Sequence, residues 1–277
     1  MLFRSNNEVI LDKEFVKDVY ANNVMELFAP FSILSNGVVI VPLKKAVDAY
    51  QMTSGKDINE AGSGFDPYDP YKNRDPRLKY SVWTPGDILP NGAVFDPRPN
   101  SGTADAVGSN YQVSVTGLNV KKYYNTEDLS DLSNCGINII LIRYAEILLT
   151  YAEAKIELDQ IDASVYDAIN QVRQRPDVNM PPISQPQTQA ELRETIRHER
   201  MVELAFEGQR FFDIRRWGIA EEVFNVPIKG LTYVNNGQLT TVDQPGVVRN
   251  FQQRDYLWPI PQKEMDLNKN LQQNTGW

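Results

Sequence analysis

Thr188-Gln189-Ala190-Glu191-Leu192-Arg193-Glu194-Thr195-Ile196-Arg197-His198-Glu199-Arg200-Met201-Val202-Glu203-Leu204-Ala205-Phe206-Glu207-Gly208 is the stretch that sets the fold class. Thr188 and Glu191 form the Thr-x-x-Glu pattern, in which each side chain satisfies a free backbone N–H at a helix start. Leu192, Ile196, Met201, Val202 and Phe206 recur at helical intervals, and Gly208 suits the positive φ of a helix end. The spacing predicts one long helix up to Gly208 and a second from Gln209 to Trp217 that closes at Gly218. Six Arg (193, 197, 200, 210, 215, 216) alternate there with Glu194, Glu199, Glu203, Glu207 and Asp213. Interleaved signs at helical spacing imply ion pairs between turns and neighbouring helices rather than an anion site.

Upstream, Tyr144, Ile147, Leu148, Tyr151, Ala152 and Leu158 predict a helix of about five turns beginning near Asn138. Ala163 to Arg173 predicts its partner, ended by Arg175-Pro176 because a residue before proline avoids helical backbone. Two such helices on a short turn have the form of a tetratricopeptide-type hairpin. Strand signals are few: Val38 to Val41, the extended Tyr256 to Pro261, and a hairpin at Asn236-Gly237. Pro42 fits the first turn of a short helix running to Tyr50. Residues 51–118 hold 8 of the 16 Gly and 7 of the 17 Pro, with aromatics throughout and no clear periodicity. A stretch of that length without periodicity points to a functional segment.

The 277 residues are 42% hydrophobic, ample for a core, and 28 Lys+Arg against 36 Asp+Glu leave a net charge of −8. A phosphate-binding nucleic-acid surface does not fit that balance. No run reaches the 18 or so apolar residues a membrane span requires, and Met1 to Glu8 has no export-signal pattern. Cys135 is the single cysteine and His198 the single histidine, so a disulfide or a Cys/His zinc cluster is excluded. Neither a Gly-x-Ser-x-Gly elbow nor a glycine-rich phosphate loop is present, and His198 sits among charges, as surface histidines do.

Glu199 and Glu203, one turn apart, could be imagined as the carboxylate pair of a carbohydrate hydrolase. A catalytic acid needs a raised pKa, however, and the neighbouring arginines act the other way. Asp66 to Arg77 gathers oxygen ligands but lacks the alternation of a calcium loop; Asp75 there reads as a turn or cap residue paired with Arg74 or Arg77. The aromatics are more informative, since Trp and Tyr on loops stack on sugar rings. Trp83 is the expected exposed platform, with Tyr68, Tyr71, Phe95 and Tyr111 as further ligand contacts. No catalytic residue, metal or cofactor is expected.

Four stretches together resemble the SusD/RagB family of surface nutrient-binding lipoproteins. They are Asn73 to Leu78; Ile140 to Leu149 with Tyr151 to Ala154; Ile196 to Arg200 with Glu203 to Gly218; and Tyr256 to Pro261 followed by Asn270 to Trp277. The resemblance implies a mostly α fold in which tetratricopeptide-like hairpins carry long irregular loops and minor β-hairpins. It implies a loop-rich ligand face over 1–130 and a helical scaffold and tail over 131–277. It also implies a non-catalytic protein on the external face of the outer membrane that binds oligosaccharides or peptides and passes them to a SusC-like TonB-dependent transporter. Family members begin with an export signal, a lipidated Cys and a helical half, and none of these precedes Asn7 here, so the N-terminal half is expected to be missing. A chain natively starting at Met1 would instead suggest an intracellular helical-repeat adaptor.

Overall fold

The computed structural model describes residues 7–34, 37–244 and 246–277; the expectation on the opening residues therefore concerns positions largely outside those described. In chain order the elements are β1 (Val9–Lys13), α1 (Val24–Phe28), α2 (Phe31–Leu34), α3 (Lys44–Asp48), α4 (Pro76–Ser81), β2 (Val82–Trp83), β3 (Asn119–Val120) and β4 (Ile139–Arg143). Then follow α5 (Tyr144–Glu157), α6 (Ala163–Arg173), α7 (Gln189–Glu203), α8 (Gln209–Arg216), α9 (Ala220–Phe224), β5 (Lys229–Asn235), β6 (Gln238–Asp243) and α10 (Gln262–Leu267). The chain is helix-rich with small sheets.

The helices α5, α6 and α7 form one layer. Thr188 and Glu191 complete their reciprocal cap at the start of α7, and Asp162 caps α6 by accepting from Ser164 N–H. Leu149 and Ile156 of α5 pack against Ile169 of α6 and against Leu192 and Ile196 of α7, all fully buried. Each such side chain contributes about 1.5–3 kcal/mol by leaving water.

Helix α7 ends at Glu203 rather than at Gly208. The chain turns through Phe206 at φ 63° and Gly208 at φ 83°, which lets Glu207 swing back to Arg143 and Lys122. The helix expected from Asn138 begins at Tyr144, because Ile139 to Arg143 instead pairs antiparallel with β1, Leu11 opposite Ile142. Pro42 lies just before α3, whose N-cap is Leu43. Val38 to Val41 joins no strand; Val38 N–H donates to Gln112 O and Ile40 N–H to Leu27 O.

The Asn236-Gly237 turn joins β5 and β6, Asn235 opposite Gln238. At the other end of β5 a side chain on Gly230 would meet Thr116 O at 2.1 Å, so this glycine lets the hairpin dock by the Leu231 N–H to Thr116 O bond of 2.8 Å. The irregular segment is pinned by polar contacts. Buried Arg74 donates to the carbonyls of Tyr50, Val47 and Pro70, and Asp75 caps α4 while gripping Arg77.

Ile169→Ala is expected to lower unfolding free energy by about 2–5 kcal/mol in urea denaturation. Tyr111→Ser, at a ring 92% exposed, should stay within about 0.5 kcal/mol of the parent; equal losses from the two would contradict this core assignment.

Candidate functional site

Glu199 and Glu203 sit one turn apart on the face of α7 turned toward the irregular segment, and both are fully buried. Arg77 from α4 pairs with both and, through Nε and Nη2, with Asp75. Arg173, closing α6, holds the second Glu199 oxygen at 2.8 Å. Arg143, closing β4, reaches Glu203 at 2.8 Å and Glu207 at 2.7 Å, and Arg175 adds a further bond to Glu203. Lys122 donates to Glu207 and to the carbonyls of Ala205 and Glu203.

Burial by itself would raise the pKa of these glutamates. The charges of Arg143, Arg175 and Arg77 overcome it and hold Glu203 far below the usual carboxylate range. Arg77 and Arg173 do the same for Glu199, and Lys122 and Arg143 for Glu207. Neither Glu199 nor Glu203 can therefore serve as a protonated catalytic acid near neutral pH. A second cluster, Glu153 and Asp213 with Arg200 and Arg216, ties α5 to α8.

The first cluster forms the floor of a cavity of about 460 Å³. Tyr80, Trp83, Tyr123 and Tyr124 line it, with Lys121 and Asp177 among the remaining wall residues. The short β2–β3 pairing makes the wall, Val82 opposite Val120 and Trp83 opposite Asn119. It brings residues 80–83 beside residues 121–124 across some forty positions of chain. Trp83 meets Tyr124 edge to face at 5.6 Å, and Lys121 Nζ lies 4.2 Å from the Trp83 ring centre. Trp83 Nε1 and the Tyr124 hydroxyl are buried with no hydrogen-bond partner among the described residues.

Trp83 is not the exposed platform expected from the sequence. It is 4% exposed and packs with Leu89 and the fully buried Phe95, because strand pairing turns its ring inward and leaves it as cavity wall. Phe95 is fully buried, held by its N–H donating to Asp87 O and its carbonyl accepting from Gly86 N–H, and presents no surface to a ligand. Tyr71 lines a separate cavity of about 320 Å³ between α3, the loop from Phe65 and the β5–β6 hairpin. Tyr68 and Tyr111 are exposed and line neither cavity. Tyr80, 54% exposed, and the pair Tyr123–Tyr124 were not singled out; the run Lys121-Lys122-Tyr123-Tyr124 after an apolar Val120 was the available signal.

Pro67 to Asn73 forms turns, with Asp66 accepting from Tyr68 N–H, and no group of three or more His, Cys, Asp or Glu among the described residues could hold a metal. His198 Nε2 lies 2.6 Å from Ala49 O, which makes it the donor to that carbonyl. Cys135 is buried and donates to Leu132 O.

The SusD family model matches residues 7–277. The chain belongs to the SusD family. It is 34% identical over 169 residues to SusD-like protein P2 of Formosa agariphila, covering 58% of this chain and 30% of that protein. SusD-like protein P38 of the same organism is 29% identical over 199 residues, covering 66% of this chain and 35% of that one. Among solved structures, a SusD-like carbohydrate binding protein from Bacteroides fragilis superposes with a TM-score of 0.82 at 31% identity, over 96% of this chain and 55% of that one. A second SusD-like protein from B. fragilis gives 0.75 at 30% identity, over 99% and 55%. The chain thus spans about a third of those curated relatives and about half of those structures. Of these relatives, the first B. fragilis structure is that of a carbohydrate binding protein.

Because Glu199, Glu203 and Glu207 are depressed, their ionised forms stabilise the fold above the unfolded value of about 4.3, and that contribution is lost as pH falls through the folded values. Burial raises the Tyr50, Tyr71, Tyr123 and Tyr124 hydroxyls, so stability from their neutral forms is present below about pH 10 and lost above it. Melting temperature should be level around neutrality and drop on both sides; a rise on acidification below about pH 4 would contradict the ion-cluster account. Glu203→Ala, which takes the shared carboxylate away from Arg77, Arg143 and Arg175 and leaves each to its remaining acidic partners, should cost about 3 kcal/mol in denaturant unfolding.

Proposed function

We propose that this protein is a non-catalytic nutrient binder of the outer membrane's external face. It captures oligosaccharides, or peptides, and delivers them to a SusC-like TonB-dependent transporter while held at the membrane by a lipid anchor. In this proposal the α5–α6 pair and α7 act as a tetratricopeptide-like scaffold, and the loop-rich 1–130 segment builds the ligand face on the 131–277 support. The observation that carries the proposal is the likeness, across 96% of the chain, to a solved SusD-like carbohydrate binding protein. The aromatic-walled cavity supports it, since sugar rings stack their C–H faces on aromatic side chains while their hydroxyls take polar partners. Tyr80 supplies the accessible ring there, and Tyr68, Tyr71 and Tyr111 are further contacts outside it.

Affinity electrophoresis and calorimetry against an oligosaccharide panel test this role. Tyr80→Ala should weaken binding about tenfold with an unchanged melting temperature, whereas Phe95→Ala should act on stability. Retained full affinity in Tyr80→Ala would remove the cavity from the site. Released reducing ends from a bound glycan would return the carbohydrate-hydrolase alternative.

A further inference from the structure

Six arginines lie between positions 193 and 216, and close ion pairs account for three of them. Arg193 holds Glu157, Arg200 holds Asp213, and Arg216 holds both Glu153 and Asp213. Arg215 donates to Tyr256 O and stacks on Phe211 and Trp258. Arg210, in the first turn of α8, departs from this pattern. Its guanidinium has no hydrogen bond and no ion pair among the described residues, and none of its three nitrogens is closed off from solvent.

Arg210 is held instead against an indole. Its Cζ lies 5.8 Å from the Trp217 ring centre, with Arg197 Cζ of α7 at 5.2 Å and Arg216 Cζ at 5.0 Å. Arg197 is little better matched: Nη1 reaches Glu194 at 3.3 Å on the exposed surface, and Nε is buried with no partner among the described residues. A long, exposed pair of that kind contributes little. Glu153 and Asp213, the buried carboxylates of this cluster, are already taken by Arg200 and Arg216, and Glu153 also accepts from Trp217 Nε1–H at 2.6 Å. Two guanidinium groups therefore share one tryptophan with a positive charge left unmatched, in a chain of net charge −8. Burial and the charge of Arg197 lower the Arg210 pKa against the pull of Asp213. Like charges held close cost energy that a bound anion returns. A guanidinium stacked on an indole keeps its edge N–H groups free to fork onto a planar oxyanion.

We propose that Arg197 and Arg210, braced on Trp217, form a carboxylate-binding site where α7 and α8 meet. None of the three lines the aromatic cavity, so the site is separate from the one assigned to glycans and stands whether or not that role holds. Its carboxylate comes from a free organic acid or from an acidic side chain of another polypeptide, and the two sources share the chemistry that the arginines read.

The test is calorimetry of this chain with citrate, with an end-blocked tetraglutamate peptide, with the matching tetraglutamine peptide and with sulfate, each at low and high salt. The expected result is binding of a carboxylate probe that weakens with salt and is about tenfold weaker in Arg210→Gln. The melting temperature of that variant should match the parent, because Arg210 gives up no hydrogen bond within the chain. Arg197→Gln is the second variant, and either one, once shown to be folded, suffices. Tetraglutamate bound more tightly than citrate assigns the carboxylate to a polypeptide, and the reverse order assigns it to a free acid; both support the site. Binding of neither carboxylate probe, equal binding of tetraglutamine, or affinity unchanged in the folded variants would overturn it. Sulfate bound more tightly than both carboxylate probes would overturn the ligand class.

Discussion

Glu203 is the residue on which this structure turns. It lies fully buried at the end of α7 and is shared by Arg77 from the irregular segment, Arg143 from β4 and Arg175 from the chain after α6. No one of these segments could carry its charge into the interior alone, since an unpaired buried ion costs several kcal/mol. Gathered together they satisfy one another, with Glu199 and Glu207 extending the cluster on either side. Hydrophobic packing of Leu149, Ile169 and Ile196 holds the helical layer together; the ion cluster fixes the irregular segment, β4 and the chain after α6 to it.

That division of labour explains how a long segment with little regular structure can bear a defined cavity. Arg74 and Arg77, three positions apart, anchor the segment at its middle. One is spent on backbone carbonyls and the other on carboxylates of α7. From this anchor α4 runs directly into β2, and the β2–β3 pairing closes the wall with Tyr123 and Tyr124. The cavity floor is thus tied to the helical layer, and its charges are paired within the chain.

Much was legible from the sequence because it is local. The cap of α7, the extent of α6, the Asn236-Gly237 hairpin and Asp75 as the cap of α4 each depend on residues within a few positions of one another. Opposed charges along 193–216 likewise announced ion pairs. Their partners were not announced: Glu199 and Glu203 take Arg77, more than a hundred positions away. The same limit placed the α5 start too early, since Ile139 to Ile142 is apolar enough for either a helix or a strand, and only β1 decides for the strand.

The sequence by itself therefore determined a helix-rich member of the SusD family, acidic overall, whose arginine-rich motif helices serve the scaffold. Periodicity, capping and motif order are properties of neighbouring residues and survive in the unfolded string. Tertiary structure alone decided which aromatics see solvent. Trp83 and Phe95 became wall and core, Tyr80 stayed open, and Tyr123 and Tyr124 arrived from a distant turn. Burial depends on what packs against a ring from elsewhere in the chain, and a two-residue strand pairing supplied that here.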